Sequence, residues 1–179
     1  YREALEMTFY GAKVIHPKTL KPLIDAQIPL FVRSFENPGQ PGTTVSFFPN
    51  LQYPTIKVLL KEQTLLQLTT RDFTFILENH LSKVFQLAVE YRVRIQMMEN
   101  LAVNLSLVVN ASPLAIYGFI DALNLNFQVE KTADLALYTI RHFDIKTVAE
   151  LKADRKVYIE EYNKNTVQLV VGSDLSPFE

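Results

Sequence analysis

Between Thr55 and Thr132 the chain runs strand, helix, strand, strand, helix, strand, and after Ala133 the same order begins again. No other feature constrains the fold as much, because a repeated unit of this kind must build its core by stacking elements in a fixed order. Ile56 to Leu68, rich in leucine and β-branched residues, predicts a strand. Leu81, Val84, Phe85 and Ala88 predict one apolar helix face. Val93, Ile95 and Met97 alternate with Arg92, Arg94 and Gln96, as do Val103, Leu105, Leu107 and Val109 with their neighbours, giving two half-buried strands. Ser112 and Pro113 form an N-cap and first-turn pair for a helix whose buried stripe is Ile116, Phe119, Ile120 and Leu123. Phe127 and Val129 supply a last strand. The expected class is α+β, a ferredoxin-like unit with two helices on one face of an antiparallel sheet.

The second round reads as a strand over Leu135 to His142, then a short helix capped by Asp144 with Ile145, Val148 and Leu151 inward. Lys156 to Glu161 and Thr166 to Val171 follow as a hairpin around Asn163-Lys164-Asn165. This βαββ unit is incomplete, so it must borrow a strand or leave an open edge. Ahead of both repeats, a helix from Glu3 to Tyr10 is stopped by Gly11. Pro17 opens a second helix through Leu20, Leu23 and Ile24, and Ile28 to Phe35 is β-rich. Asn37 to Gly42 is a turn cluster, and Phe48 to Pro54 a linker. The expected division is residues 1–50, 55–132 and 133–179.

At 179 residues and 48% apolar content the chain can build a packed core. Its net charge of −1 argues against nucleic-acid binding, which needs a basic surplus. No run approaches the ~20 apolar residues of a membrane span, and no signal peptide is expected. Cysteine is absent, which excludes disulfides and thiolate metal sites and agrees with a cytoplasmic protein. The chain opens on Tyr1 inside a helix pattern, so a longer parent protein is expected.

The strings Glu3-Ala4-Leu5-Glu6-Met7 and Gly11-Ala12-Lys13-Val14-Ile15-His16-Pro17-Lys18-Thr19-Leu20 are followed by Ile28-Pro29-Leu30-Phe31-Val32, Asn37-Pro38 and Gly42-Thr43-Thr44. Together they resemble the end of the aspartate kinase catalytic domain, over about the first quarter of the chain. Thr64-Leu65-Leu66-Gln67-Leu68 and Leu81-Ser82-Lys83-Val84-Phe85 are similar to the first strand and helix of that family's ACT regulatory units. The resemblance implies ferredoxin-like ACT units behind the C-terminal fragment of an α/β amino-acid kinase domain. It also implies a chemistry: transfer of the γ-phosphoryl group of ATP, with magnesium, to the side-chain carboxylate of aspartate, on the route to lysine, threonine and methionine. The family's phosphate-handling Lys-Phe-Gly-Gly string lies ahead of the matched segment. The fragment alone is therefore expected to be inactive, with no catalytic residue and no bound cofactor of its own.

Lys13 matches a family lysine near the nucleotide and is the cofactor-binding candidate; its alternative is a solvated surface lysine. His16 reads as a helix-entry residue, and Glu3 with Glu6 as a solvated helix face. His16, His80 and His142 share no ligand spacing, so no metal site is expected. The resemblance places an amino-acid effector near Asp72, Phe73 and Asn79, and near Gln96, Met97, Asn100 and Leu101. Asn79, Gln96 and Leu101-Ala102 stand where the lysine-sensitive pattern has a glycine, an aspartate and a Ser-Glu pair. A cationic effector wants carboxylates around its ammonium, so both an effector site and a ligand-free structural interface stay open. A homodimer through the ACT units is expected. The alternative for the whole chain is a stand-alone, non-enzymatic ACT binding or dimerisation module.

Overall fold

The computed structural model describes residues 1–13, 15–49, 51–72 and 74–173. Two helices open the chain, α1 (Arg2–Phe9) and α2 (Pro17–Asp25). The break between them carries Gly11 at φ 104, a backbone that favours glycine. His16 caps α2, its Nδ1 accepting from the Lys18 amide at 3.2 Å. The β-rich stretch expected over Ile28 to Phe35 forms only the short strand β1 (Leu30–Val32). It pairs antiparallel with a strand the sequence reading lacked, β2 (Thr43–Val45), in the register Val32 to Thr43.

The remaining elements follow the expected order. They are β3 (Ile56–Thr70), α3 (Glu78–Glu90), β4 (Arg94–Asn100), β5 (Asn104–Asn110), α4 (Pro113–Leu123), β6 (Phe127–Arg141), α5 (Ile145–Lys152), β7 (Val157–Asn163) and β8 (Thr166–Gly172). Six strands join in the order β4-β5-β3-β6-β8-β7. The portion β4-β5-β3-β6 is the ferredoxin-like order, with the first and third strands of the unit central. The incomplete second repeat finds its extra strand here: β6 is flanked by β8 on one side and β3 on the other.

The two strands expected over Phe127 to Val129 and Leu135 to His142 are one continuous strand, β6. Asp134 sits within it at φ 56, and Glu62 holds φ 58 within β3. A left-handed residue resets the two-residue alternation, which is why the apolar pattern broke there in the sequence. Both sites are held by hydrogen bonds: Asn110 Nδ2 donates to the Glu62 carbonyl at 3.0 Å, and the Ser173 amide donates to the Asp134 carbonyl at 3.0 Å.

The described residues gather into two compact units. One comprises Tyr1–Leu59, Tyr138–Ala153 and Glu160–Leu169; the other comprises Leu60–Leu137, Asp154–Ile159 and residues 170–173. In the second of these, α3 and α4 cover Leu66, Leu68, Leu105, Leu107 and Val109 with Val84, Leu87, Ala88, Phe119 and Leu123. Strand alternation sends the next residues to the opposite face. There Leu65, Met97, Val108, Leu135, Leu137, Ile159 and Val170, drawn from all six strands, form a further buried cluster. Two expected inward residues point elsewhere. Phe85 is 46% exposed, because Val84, Leu87 and Ala88 already fill the inner stripe of α3, and Ile145 is 83% exposed at the first position of α5. Ser112 and Asp144 cap as expected, their side chains accepting from the Ala115 and Thr147 amides at 3.4 and 2.7 Å.

Candidate functional site

The loop after β3 is pinned to the β4–β5 turn by backbone bonds. The Thr70 amide donates to Val103 O at 3.4 Å and the Ile76 amide to Ala102 O at 2.9 Å, while the turn is closed by Leu101 N to Asn104 O at 2.9 Å. Within the loop, Asp72 Oδ1 accepts from Thr74 Oγ1 at 2.7 Å and from the Thr74 amide at 3.2 Å. The Thr74 hydroxyl and then its amide hold the Asp72 carboxyl below its ordinary value, so it is an ionised group left open to solvent. Asn79 lies exposed in the first turn of α3, where the Leu77 amide donates to His80 Nδ1 at 3.3 Å.

These bonds bring Asp72 and Leu101 to one end of the sheet, and Leu101 is exposed there with Asn100. Gln96 and Met97 come from farther along β4. The β4–β5 register passes from Ile95–Val109 to Met97–Val108, leaving Gln96 as the extra residue of a β-bulge. Gln96 is half-buried, whereas Met97 belongs to the buried cluster on the sheet. Phe73 lies outside the described residues. Lys13 is exposed between α1 and α2. An exposed lysine can meet a phosphate as a point charge, but one such group is not a nucleotide cradle. Among the described residues no group of three or more His, Asp or Glu side chains is placed to hold a metal.

The other unit holds an arrangement the sequence reading missed. A cavity of about 500 Å³ is lined by α1, by the end of β6 and by the β7–β8 hairpin. At its floor Arg141 Nε and Nη2 donate to the two oxygens of Glu3, at 2.6 and 3.0 Å. Arg141 Nη1 donates to Thr166 Oγ1 at 2.9 Å and to Glu6 Oε2 at 3.4 Å. His142 Nε2 lies 3.1 Å from Glu3 Oε2, and the His142 ring stacks on Tyr53 at 4.6 Å between centroids. Glu3 and Glu6 are thus not a solvated face: the Glu3 side chain is 17% exposed, the Arg141 side chain 11%. The partners are separated by 138 residues in sequence, so no local pattern announces them.

Burial pushes the Glu3 carboxyl up, but the hydrogen bonds and charges of Arg141 and His142 outweigh it and hold the group below its ordinary 4.5. Glu6 on the same helix, Tyr10 just past its end, Tyr53 from the linker and Lys164 from the hairpin also line the cavity. A carboxyl with a depressed folded-state value contributes stability above the unfolded value and loses it as pH falls through the folded one. Acidification below pH 4.5 should therefore release this pair, at a cost on the order of 2 kcal/mol for a charged hydrogen-bonded group. A Glu3→Gln variant should show a correspondingly flatter stability profile in acid, measured by urea unfolding.

The N-terminal segment also leaves Phe9, Phe31, Phe35, Phe47 and Phe48 exposed, Phe35 completely.

No family model matches the chain. The bifunctional aspartokinase/homoserine dehydrogenase of Haemophilus influenzae is 47% identical over 45 residues, 25% of this chain and 6% of that protein. Lysine-sensitive aspartokinase 3 of Escherichia coli is 30% identical over 119 residues, 63% of this chain and 25% of that protein. The solved structure of E. coli aspartokinase III in complex with lysine and aspartate superposes over 96% of this chain and 42% of its own, with a TM-score of 0.74 at 24% identity. In sequence the chain is similar to aspartokinases over 63% of its length, and in fold over 96%. It spans a quarter or less of the length of these two aspartokinase relatives. The likeness in fold runs through both the N-terminal segment and the ferredoxin-like units. No helix among the described residues is long and apolar enough to cross a membrane.

Proposed function

We propose that this chain is the regulatory end of an aspartokinase that phosphorylates the side-chain carboxylate of aspartate with ATP and magnesium. In this reading the nucleotide and metal are handled by the whole enzyme, with Lys13 as this chain's one contribution, and the isolated chain is inactive. The protein works in the cytoplasm as a homodimer through its ACT units. A small amino acid binds at the loop holding Asp72, Phe73 and Asn79 together with Gln96, Met97, Asn100 and Leu101. The effector favours one arrangement of the regulatory units and so shifts the kinase between states.

The observation that carries the reading is the Asp72 turn. Its carboxylate is ionised and exposed, and backbone bonds fix it against the β4–β5 turn. Among the candidate positions Asp72 alone supplies a negative charge. That supports recognition of an α-amino group more than of a second, side-chain ammonium. A thermal-shift screen of the chain with lysine, threonine, methionine and S-adenosylmethionine tests it. A true effector at ~100-fold above its dissociation constant should add about 2.7 kcal/mol, and Asp72→Asn should abolish the gain. No shift with any of the four would count against an effector site at this loop.

A further inference from the structure

We infer that the four residues Arg141 to Asp144 form a coupling joint through which α1, at the kinase end, and α5, in the second repeat, sense each other. Contacts from several elements meet in this short stretch. The Arg141 guanidinium is tied to β8 by Thr166 and reaches across to Glu3 and Glu6 on α1. The His142 ring lies between Glu3 and Tyr53, and its amide donates to Asn165 O at 2.7 Å. The His142 carbonyl accepts from Thr55 Oγ1 at 2.9 Å, and the same hydroxyl lies 3.2 Å from Asp144 Oδ2. Asp144 in turn caps α5 through the Thr147 amide and hydroxyl.

Two features make this junction suited to switching rather than to plain support. First, no residue of α1 is fully buried, so its attachment at this end is made by charged groups. An interface held by ion pairs can open without exposing a packed core, and its strength is set by geometry to a few tenths of an ångström. Second, His142 holds a left-handed backbone, φ 49. Non-glycine residues in that region are uncommon and cluster where the chain changes between arrangements. A shift of the α5 cap pulls on Thr55 and on His142, and the adjoining Arg141 transmits it to Glu3. Gly11, at φ 104 beyond α1, provides a pivot.

This inference rests on the regulatory reading above, but its test needs no effector. Amide hydrogen exchange is followed across the whole chain in Arg141→Met, Arg141→Lys, Glu3→Gln and Thr55→Val variants. Arg141→Met and Glu3→Gln should each speed exchange in α1 at least 10-fold, and the double variant should do little more than either alone. Arg141→Lys should recover part of the protection. The decisive variant is Thr55→Val, which removes only the hydroxyl at the α5 cap. It should raise exchange in the first turn of α5 and also, several-fold, in α1. Unchanged α1 exchange in Thr55→Val would overturn the coupling, as would an equal rise in α3 and α4, which would mean general loosening of the chain. If the amino-acid screen fails while α1 and α5 respond together, the joint stands and only the effector loop falls.

Discussion

Truncating Phe119 to alanine is expected to cost about 4 kcal/mol, the range for deleting a buried aromatic side chain. Phe119 is fully buried in α4, among Leu66, Leu107, Leu123 and Phe127. With Phe127 its ring is among the largest fully buried side chains of the described residues, and Gly118 beside it already lets α4 approach the Tyr91 ring closely. A Cβ on Gly118 would lie 2.7 Å from Tyr91 Cε1, so the helix has no slack with which to collapse into the space left by Phe119. The lost transfer free energy is then joined by a cavity term. Urea unfolding followed by far-UV circular dichroism should show a markedly lower midpoint with an unchanged slope. Leu114→Ala, on the exposed side of the same helix, should be within about 0.5 kcal/mol of the parent.

Gly42→Ala should be nearly as damaging, for a different reason. Gly42 holds φ 65 where the turn cluster enters β2, and an added Cβ would lie 2.3 Å from the Val32 carbonyl oxygen and 2.9 Å from Arg33 Cγ. The oxygen belongs to the backbone of β1, whose register with β2 pairs Val32 with Thr43, so it cannot yield without opening the pair. Left-handed strain and the backbone overlap together should cost about 3 kcal/mol. Gly39, three residues earlier in the same cluster, has nothing within 4 Å of such a Cβ, and Gly39→Ala should be close to neutral. A small difference between the two variants in thermal unfolding would mean the hairpin contributes little to that unit.

The contrast between these positions shows which parts of the molecule a sequence can announce. The strands over 93–109, the stripes of α3 and α4, and the caps at Ser112 and Asp144 follow from spacing and from donors a few residues away. These are local forces, and they are legible as such. β2 was not legible, because three residues acquire strand geometry only when β1 lies beside them. The continuity of β6 was hidden by Asp134, whose left-handed turn shifts the alternation on either side. The bulge at Gln96 depends on the β5 register, which no single strand encodes. In the effector loop, the identity of Asp72 could be read, but not the Thr74 hydrogen bonds that hold it. The Arg141 cluster was wholly invisible: Glu3 looked like any surface carboxylate until a residue 138 positions away arrived next to it.

The two fifteen-residue strands β3 and β6 have a further consequence, for how the chain reaches its native state. β3 lies between β5 and β6, so it has both neighbours only after the chain has been made past residue 127. Closing loops of that span is entropically slow, and waiting strands present open edges meanwhile. Ribosomal pausing or truncation shortly before β6 would thus leave β3 half-matched and prone to self-association.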